Sequence, residues 1–347
     1  MSIKQIAAEA GLSKATVSMI LNKKESPLTF SKDTKKRVWE IAKRLDYHPN
    51  YQARSLSTGK TECIGVAGGA LWAMDNISLS QTYSGIGRAV HDRNYNMMFF
   101  PIGQGDAEAV MIKAVRSRMV DGLAIIVFSS MHEDFLNQTL PSLKEAKIPV
   151  VAIHSTNYNY PCHNVGFDSV KAGYLAAQHL LDQGIRTIGF TGIRGKGRLF
   201  NDLMYNGYRK AMEEAGYPET DLRLDSPYYQ DNALQGYEYG KKLVAGNVPE
   251  GLVVHADTFA YGIMDALKEK GISVPEDTAM VSIDNVLKED IRSSDLTTVD
   301  RKFEERGRLA GEMLFRAIDN GKNSTFETQI CEPELIVRKS SIKPIDS

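Results

Sequence analysis

The chain has 347 residues, of which 42% are hydrophobic and 24% are charged, and its formal net charge is −1. This length exceeds one compact core, so two or three domains of a soluble protein are expected. No apolar stretch approaches the ~18 residues of a membrane helix, which argues against a membrane protein. Cys63, Cys162 and Cys331 are too far apart to indicate a disulfide framework or a metal site.

Charge is distributed unevenly along the chain. Residues 1–60 contain 12 lysines and arginines against 5 acidic residues, a net charge of +7, which leaves −8 for the remainder. A small basic segment on a larger acidic body indicates a polyanionic partner for the basic segment alone. The start, MSIKQIAAEAG, lacks the hydrophobic stretch of a secretory signal, so a cytoplasmic protein is expected.

Three short helices are predicted in the basic segment. Ser2 and Gln5 have the spacing of a capping box, and Gly11 suits the left-handed end of the first helix. Ser13 is placed to cap a second helix after a tight turn, which is the helix-turn-helix spacing. Ser31 is placed to cap a third helix, KDTKKRVWEIAKRLDY. The predicted buried faces comprise Ile6, Ala7, Ala10, Val17, Ile20, Leu21, Val38, Ile41, Ala42 and Leu45.

This packing leaves an outward face on the second helix, formed by Lys14, Ala15, Ser18 and Met19. Charged helix faces are usually only solvated. The pattern by itself therefore fits a small packed module as well as it fits a DNA-binding one.

The residues around and after the three helices carry a resemblance. The second helix contains TVS and ends in LN, and the third is followed by YHPNYQARSL. These residues resemble the Lac repressor / Gal repressor (LacI/GalR) family of bacterial transcription regulators. The resemblance implies a helix-turn-helix DNA-binding domain over 1–48, a hinge helix and linker over 49–61, and a two-lobed effector-binding and dimerisation core over 62–342.

The resemblance also implies the DNA contacts. The second helix is expected in the major groove, and Leu56 is expected to wedge between base pairs from the minor groove and kink the duplex. The alternative is that Leu56 packs on the core domain. The segment SLSTGK is poor helix material, so the hinge is expected to order only on DNA. The expected DNA-binding residues are Lys14, Ala15, Thr16, Ser18, Met19, Asn22, Tyr47, Asn50, Ala53, Arg54 and Leu56.

Met19 departs from the family pattern, which usually has arginine at this position. Arginine can donate two hydrogen bonds to guanine, whereas methionine offers only apolar contact, for example to a thymine methyl group. An operator altered at the base pair that faces Met19 is therefore predicted.

From residue 62 onward, apolar strands alternate with helical segments. The predicted strands are CIGVAG, NMMFFPI, GLAIIVF, PVVAIH, HNVGFD, TIGFTG, GLVVHA and AMVSID, and the predicted helices are 80–94, 106–119, 133–146, 168–183, 202–215, 231–245 and 258–270. Such alternation indicates parallel sheets covered on both faces, in two lobes. The fold class predicted is thus a small all-α helix-turn-helix head plus an α/β core of two parallel-sheet lobes.

The segments MVDGLAII, ISVPEDTAMVSIDN, LTTVDRKFEERGRLA and ELIVRKSS extend the resemblance over this core. The family core is like the periplasmic sugar-binding proteins: the chain crosses three times between two lobes, and a small effector lies in the cleft between them. The resemblance places one lobe at about 62–160 plus 292–325 and the other at about 161–291 plus 326–342.

The expected effector contacts match the family unevenly. Asp284 and Asp257 match family aspartates, but Met204 stands where the family commonly has a ligand-binding arginine, which Arg194 or Arg198 is placed to replace. The usual effector is therefore not expected, and a saccharide or sugar derivative is favoured. The expected effector-binding residues are Trp72, Asp75, Arg194, Arg198, Met204, Asp257 and Asp284, although a lone loop tryptophan is as often a packing residue.

No catalytic motif is complete in this sequence. The glycine-rich segments TGIRGKGR (191–198) and STGKT (57–61) lack the glycine spacing of a phosphate-binding loop. No enzyme activity, cofactor or metal is expected. The predicted function is a repressor that binds a near-palindromic operator as a homodimer under the control of a small effector. The alternatives are a solute-binding protein without DNA function and an α/β enzyme acting on sugars or nucleotides.

Overall fold

The computed structural model describes residues 2–21, 30–47, 55, 59–69, 76–102, 106–127, 130–155, 159–194, 199–225, 232–287, 295–321 and 325–343. The chain forms two compact units, Met1–Thr61 and Glu62–Ser347, which we call the head and the core. Within the described ranges, no helix is both long and apolar enough to span a bilayer.

The head contains helices α1 (Ile3–Ala10), α2 (Lys14–Leu21) and α3 (Lys32–Arg44). The predicted caps of these helices are confirmed. The Gln5 side chain accepts a hydrogen bond from the Ser2 backbone N–H at 2.9 Å, and Gly11 has a φ of 62° at the end of α1. Ser13 Oγ accepts a hydrogen bond from the Thr16 backbone N–H at 3.1 Å, which caps α2.

The apolar faces of these helices form one core. Its buried members are Ile6, Ala7, Ala10, Val17, Ile20, Leu21, Val38 and Ala42, and the predicted Ile41 and Leu45 pack against them half-buried. Helix α3 ends three residues earlier than predicted. Asp46 has a φ of 48° and the Tyr47 N–H donates to the Ala42 carbonyl at 2.9 Å, which stops the helix.

The core contains two six-stranded sheets. The first consists of β1 (Cys63–Gly68), β2 (Asn96–Pro101), β3 (Gly122–Val127), β4 (Val150–His154), β5 (His163–Phe167) and β13 (Thr328–Cys331). All its strands are parallel, in the order β13-β5-β4-β3-β1-β2. The helices of this lobe are α4 (Ile77–Asp92), α5 (Ala107–Arg116), α6 (Ser130–Glu145) and α11 (Phe303–Asn320).

The second sheet consists of β6 (Ile188–Thr191), β8 (Thr220–Asp221), β10 (Gly251–Val254), β11 (Ala279–Asp284), β12 (Thr297–Asp300) and β14 (Glu334–Ile336). Its order is β14-β12-β11-β10-β6-β8, and only β14 is antiparallel to its neighbour among these strands. Two further strands, β7 (Ile193–Arg194) and β9 (Leu224–Asp225), form a small pair. The helices of this lobe are α7 (Ser169–Asp182), α8 (Leu199–Glu214), α9 (Ala233–Val244) and α10 (Asp257–Glu269).

The predicted fold class is confirmed, but the lobe boundaries differ from the prediction. Strand β5 pairs with β4 and β13 in the first sheet, so the first crossing lies between β5 and α7 rather than at 161. Strand β12 belongs to the second sheet, so the second crossing follows residue 300 rather than 291. The third crossing lies between β13 and β14 rather than at 326. The local sequence of a buried strand does not specify which sheet it joins.

Three helix pairs of the core cross at very close range. In each pair, α4 with α11, α7 with α8, and α9 with α10, both helices present a glycine to the partner's backbone. A Cβ atom on any of these glycines would lie 1.8–2.1 Å from a backbone oxygen of the partner helix. The glycines are Gly85, Gly307, Gly173, Gly207, Gly236 and Gly262. Absence of a side chain therefore sets the distance between these helices.

Candidate nucleic-acid interface and effector site

The outward face of α2 is the candidate nucleic-acid interface. Lys14 and Ala15 are exposed, Ser18 and Met19 are half-buried on the same side of the helix, and Thr16 is half-buried at its border. The opposite side is buried because Val17, Ile20 and Leu21 pack on α1 and α3. The periodicity of α2 therefore leaves a short, weakly charged surface that is available to a partner.

Two of the predicted DNA-binding residues have other contacts within the head. The Thr16 hydroxyl lies 2.9 Å from Ser13 Oγ, so it contributes to the cap of α2. Tyr47 is half-buried and packs against the core of the head. The Arg37 guanidinium donates to the Ala10 carbonyl at 2.8 Å, which satisfies a terminal carbonyl of α1 and fixes α3 against it.

The remaining predicted DNA contacts, Asn22, Asn50, Ala53, Arg54 and Leu56, lie outside the described residues. Within the predicted hinge, the Gly59 N–H donates to the Ser55 carbonyl at 2.8 Å, which is the spacing of an α-helical hydrogen bond. The hinge helix and the leucine wedge stay predictions.

In the core, polar side chains gather where parallel strands of both sheets end. Asp284 is the last residue of β11, Ser155 follows β4, and Arg301 follows β12 at the second crossing. Arg301 Nη1 donates to Asp284 Oδ1 at 3.0 Å, and its Nη2 donates to Ser155 Oγ at 2.9 Å. One guanidinium thus joins the strand ends of the two lobes, the place where open α/β sheets bind ligands.

Arg306, in the first turns of α11, lies in the same cluster. Its Nη2 donates to the His154 carbonyl at 2.7 Å and to Ser155 Oγ at 3.2 Å. The two guanidinium groups also lie over the rings of Phe167 and Phe303, at 4.8–5.8 Å from the ring centroids. The cluster is therefore both cationic and partly aromatic.

Asp257 is placed differently from the prediction. It is 3% exposed, and its carboxylate accepts hydrogen bonds from the Ser282 hydroxyl, from Thr298 Oγ1 at 2.7 Å and from the Val286 N–H at 3.0 Å. Burial raises the pKa of this carboxyl group, and the hydrogen bonds from Ser282 and Thr298 oppose that shift. Because its acceptors are engaged internally, Asp257 holds the end of β11 in place and does not fit the predicted role of effector contact.

Met204 and Arg194 also depart from the prediction. Met204 is fully buried. Its carbonyl oxygen faces Gly173 of α7, so the residue lies where α7 and α8 cross. An apolar side chain in this crossing is a packing residue. Arg194 pairs with Asp221 at 3.2 Å, and Asp221 is shared with Arg223, so Arg194 belongs to a local ion-pair network. Trp72, Asp75 and Arg198 lie outside the described residues.

Asp221 is the centre of that network. Burial acts to raise the pKa of its carboxyl group, but the hydrogen bonds and charge of Arg223 outweigh burial, so the pKa lies below its ordinary value. The Arg223 guanidinium also lies 3.6 Å from the centroid of the Tyr205 ring. These contacts fix the edge of the second sheet.

Sequence reasoning missed Ser155, Arg301 and Arg306 as site residues. A signal for Arg301 was present, since it directly follows the strand-like segment LTTVD, and side chains after parallel strands commonly face a ligand. Arg306 had no such signal, because it lies within a helix that the strand–helix pattern did not predict.

Two further buried polar groups lie in the second lobe, one at the end of β6 and one in the first turn of α8. Thr191 Oγ1 has no hydrogen-bond partner among the described residues, and neither does the Asn201 side-chain amide, although both residues are fully buried. Buried polar groups are normally paired, so this end of the second lobe is a second place where polar ligand groups fit. Among the residues described, no group of three or more His, Cys, Asp or Glu side chains has the arrangement of a metal site.

The head and the core each match a known family model. Bacterial regulatory proteins of the lacI family match residues 2–50, and the periplasmic binding protein-like domain matches residues 177–341. The HTH-type transcriptional regulator RegA of Clostridium saccharobutylicum is 31% identical over 350 residues, which cover 98% of this chain and 99% of RegA. The chain belongs to the LacI family. The LacI-family resemblance inferred from the sequence is thereby confirmed, and the chain is a DNA-binding transcriptional regulator.

Solved structures share the fold of this LacI-family chain. A crystal structure of the Lac repressor dimer bound to operator and the anti-inducer ONPF is 20% identical, covers 99% of both chains and has a TM-score of 0.78. A LacI-family regulator from Enterococcus faecium with bound ribose is 22% identical, covers 82% of this chain and 100% of its own, and has a TM-score of 0.67.

Proposed function

We propose that this LacI-family regulator is a repressor that binds a near-palindromic operator as a homodimer. We further propose that a small effector, a saccharide or sugar derivative, binds between the lobes and changes the affinity for the operator. The observation that carries the proposal is the outward face of α2, which stands on a capped and packed helix-turn-helix.

The geometry of the head suits the major groove. Helix α2 is short, and its buried side is fixed by α1 and α3, so its outward face can enter a groove without loss of packing. Lys14 is exposed on this face and suits a phosphate or a base edge. Met19 suits an apolar contact with a thymine methyl group. A two-fold dimer places one such helix on each half-site.

The core supplies a route for effector control. Arg301 joins Asp284 of the second lobe to Ser155 of the first, so a ligand that competes for these contacts alters how the lobes are held. A ligand with different affinities for two lobe arrangements shifts the balance between them, and such coupling typically amounts to about 1–3 kcal/mol. The solved regulator with bound ribose supports a saccharide as the effector class.

The test is a gel shift of the full chain on sites selected from random DNA, repeated over a range of salt concentrations. Binding through phosphates releases counterions, so log affinity is expected to fall linearly with log salt. Selected sites that lack two-fold symmetry, or binding that does not respond to salt, would contradict the proposal.

Lys14→Gln provides the matched variant. Loss of one phosphate contact is expected to reduce the salt slope by about one unit. Lys210→Gln is the control, because Lys210 is similarly exposed, pairs with Glu214 in the core and carries the same charge. An equal effect of the two variants would assign the salt dependence to overall charge rather than to α2.

A further inference from the structure

Arg306 is buried, and no carboxylate of the described residues pairs with it. The residue is 4% exposed, its Nη2 is bonded to neutral oxygens, and its Nε and Nη1 have no hydrogen-bond partner among the described residues. Burial and the neighbouring Arg301 both lower the pKa of this guanidinium. A buried charge without a partner is costly, so its presence needs a physical reason.

The carboxylates at these strand ends are engaged by groups other than Arg306. Asp284 pairs with Arg301, and Asp300 accepts hydrogen bonds from Asn285 Nδ2 at 2.9 Å and from the Lys302 backbone N–H at 2.7 Å. The Asp257 carboxylate is held by its own hydrogen bonds, described above. Elsewhere on the same helix the arginines are paired: Arg308 with Glu312, and Arg316 with Glu327. Of these three arginines, the one without a carboxylate among the described residues is thus the one that lies where the two lobes meet.

We propose that the effector is an anion whose carboxylate or phosphate group binds at Arg306 and Arg301. This inference rests on the proposed effector site and names its ligand class. Arginine presents planar, paired N–H donors that match a carboxylate or phosphate, and the bound anion supplies acceptors for Arg306 Nε and Nη1. The Phe167 and Phe303 rings offer an apolar surface beside that group.

The test measures the melting temperature of the full chain at constant ionic strength. Glucose is compared with glucuronate and glucose 6-phosphate, and ribose with ribose 5-phosphate; inorganic phosphate is a probe without a sugar, and chloride is the reference. A ligand that binds only the folded chain raises the melting temperature, by on the order of 5 °C when it is well above its dissociation constant. The carboxylate and phosphate compounds distinguish the two kinds of anion.

Arg306→Met separates a ligand-binding role from a structural one. If Arg306 is kept for an anion, the variant is expected to melt at or above the wild-type temperature without ligand, because an unpaired buried charge is removed, and to lose the response to anions. Arg306→Lys is expected to keep part of that response. Arg316→Met removes a charge from the same helix at an exposed position and is expected to respond as the wild type does.

Three results would overturn the inference. The first is that no anion changes the melting temperature of the wild type. The second is that the neutral sugar of a pair raises the melting temperature as much as its anionic counterpart does. The third is that Arg306→Met melts well below the wild type while Arg316→Met does not. Failure of the proposed function is distinguishable from these results, because operator binding by the ligand-free chain is measured separately in the salt-dependent gel shift.

Discussion

The outward face of α2 and the strand ends of the core present their polar groups in opposite ways. On α2, Lys14 is exposed and Met19 half-buried, whereas Asp284, Arg301 and Arg306 of the core are each exposed by less than a tenth. Substitution of a surface residue of the head changes the stability little, so the residue at such a position can vary with the operator sequence. A buried charge in the core affects stability directly, so it persists where a ligand or a partner compensates it.

The largest effect is expected when the head is removed. Deletion of residues 1–61 is expected to abolish specific DNA binding while the core, a separate compact unit, still melts cooperatively and responds to ligand. Specific affinity typically exceeds non-specific affinity by about 10³-fold or more, so the loss is easily measured by gel shift. Retained specific binding by the truncated chain would assign recognition to the core.

Close packing in the core provides the next largest effect. Gly85→Ala places a Cβ atom 1.9 Å from the Glu304 carbonyl oxygen, so the helices must separate, and the free energy of unfolding is expected to fall by about 2–3 kcal/mol. Gly87→Ala on the same helix meets its nearest atom at 3.7 Å and is expected to be neutral or to stabilise by up to about 1 kcal/mol. Urea unfolding of the two variants measures the difference, and equal values would contradict the close crossing.

On α2, the substitution Met19→Arg tests whether residue 19 faces a base pair. It is expected to leave the free energy of unfolding nearly unchanged but to alter the preferred base pair, with a discrimination of about 1–3 kcal/mol toward guanine. Selection from random DNA measures the preference, and Met19→Leu is the control that keeps an apolar contact. An unchanged preferred sequence for the arginine variant would show that residue 19 does not face a base.

The smallest effect is expected at a helix cap of the head. Ser31 Oγ accepts a hydrogen bond from the Thr34 N–H at 3.1 Å, and Ser31→Ala is expected to destabilise α3 by about 1 kcal/mol. Hydrogen exchange of the α3 amides in the full chain measures this loss, with core amides as the internal reference. Faster exchange in the core as well would show that the two units do not unfold independently.

Much of the fold could be predicted because it follows from local patterns. All eight predicted strands and all seven predicted core helices are present, within a few residues at each end. The missed elements include β12, β13, β14 and α11. The three strands have only four, four and three residues, and α11 begins with the charged segment FEERGR, which offers no continuous apolar run.

The candidate site residues also include some whose positions follow from the local sequence and some whose positions do not. The outward position of Met19 could be predicted because α2 has a clear periodicity, and residues on one side of a short helix have a known direction. The burial of Met204 in a helix crossing and of Asp257 in a hydrogen-bond network could not be predicted, because a position in a motif does not show what surrounds a side chain.

The sequence by itself determined the elements, the capped helix-turn-helix and the family, because each depends on residues within a few positions of one another. Tertiary structure alone decided which sheet β5 and β12 join and which charges are compensated. Arg301 meets Ser155 across 146 positions of the chain, and Arg306 lies beside them, with no carboxylate partner in the part of the chain that the structure describes. Pairing between distant residues and the burial of charge are properties of the packed chain, so no local pattern specifies them.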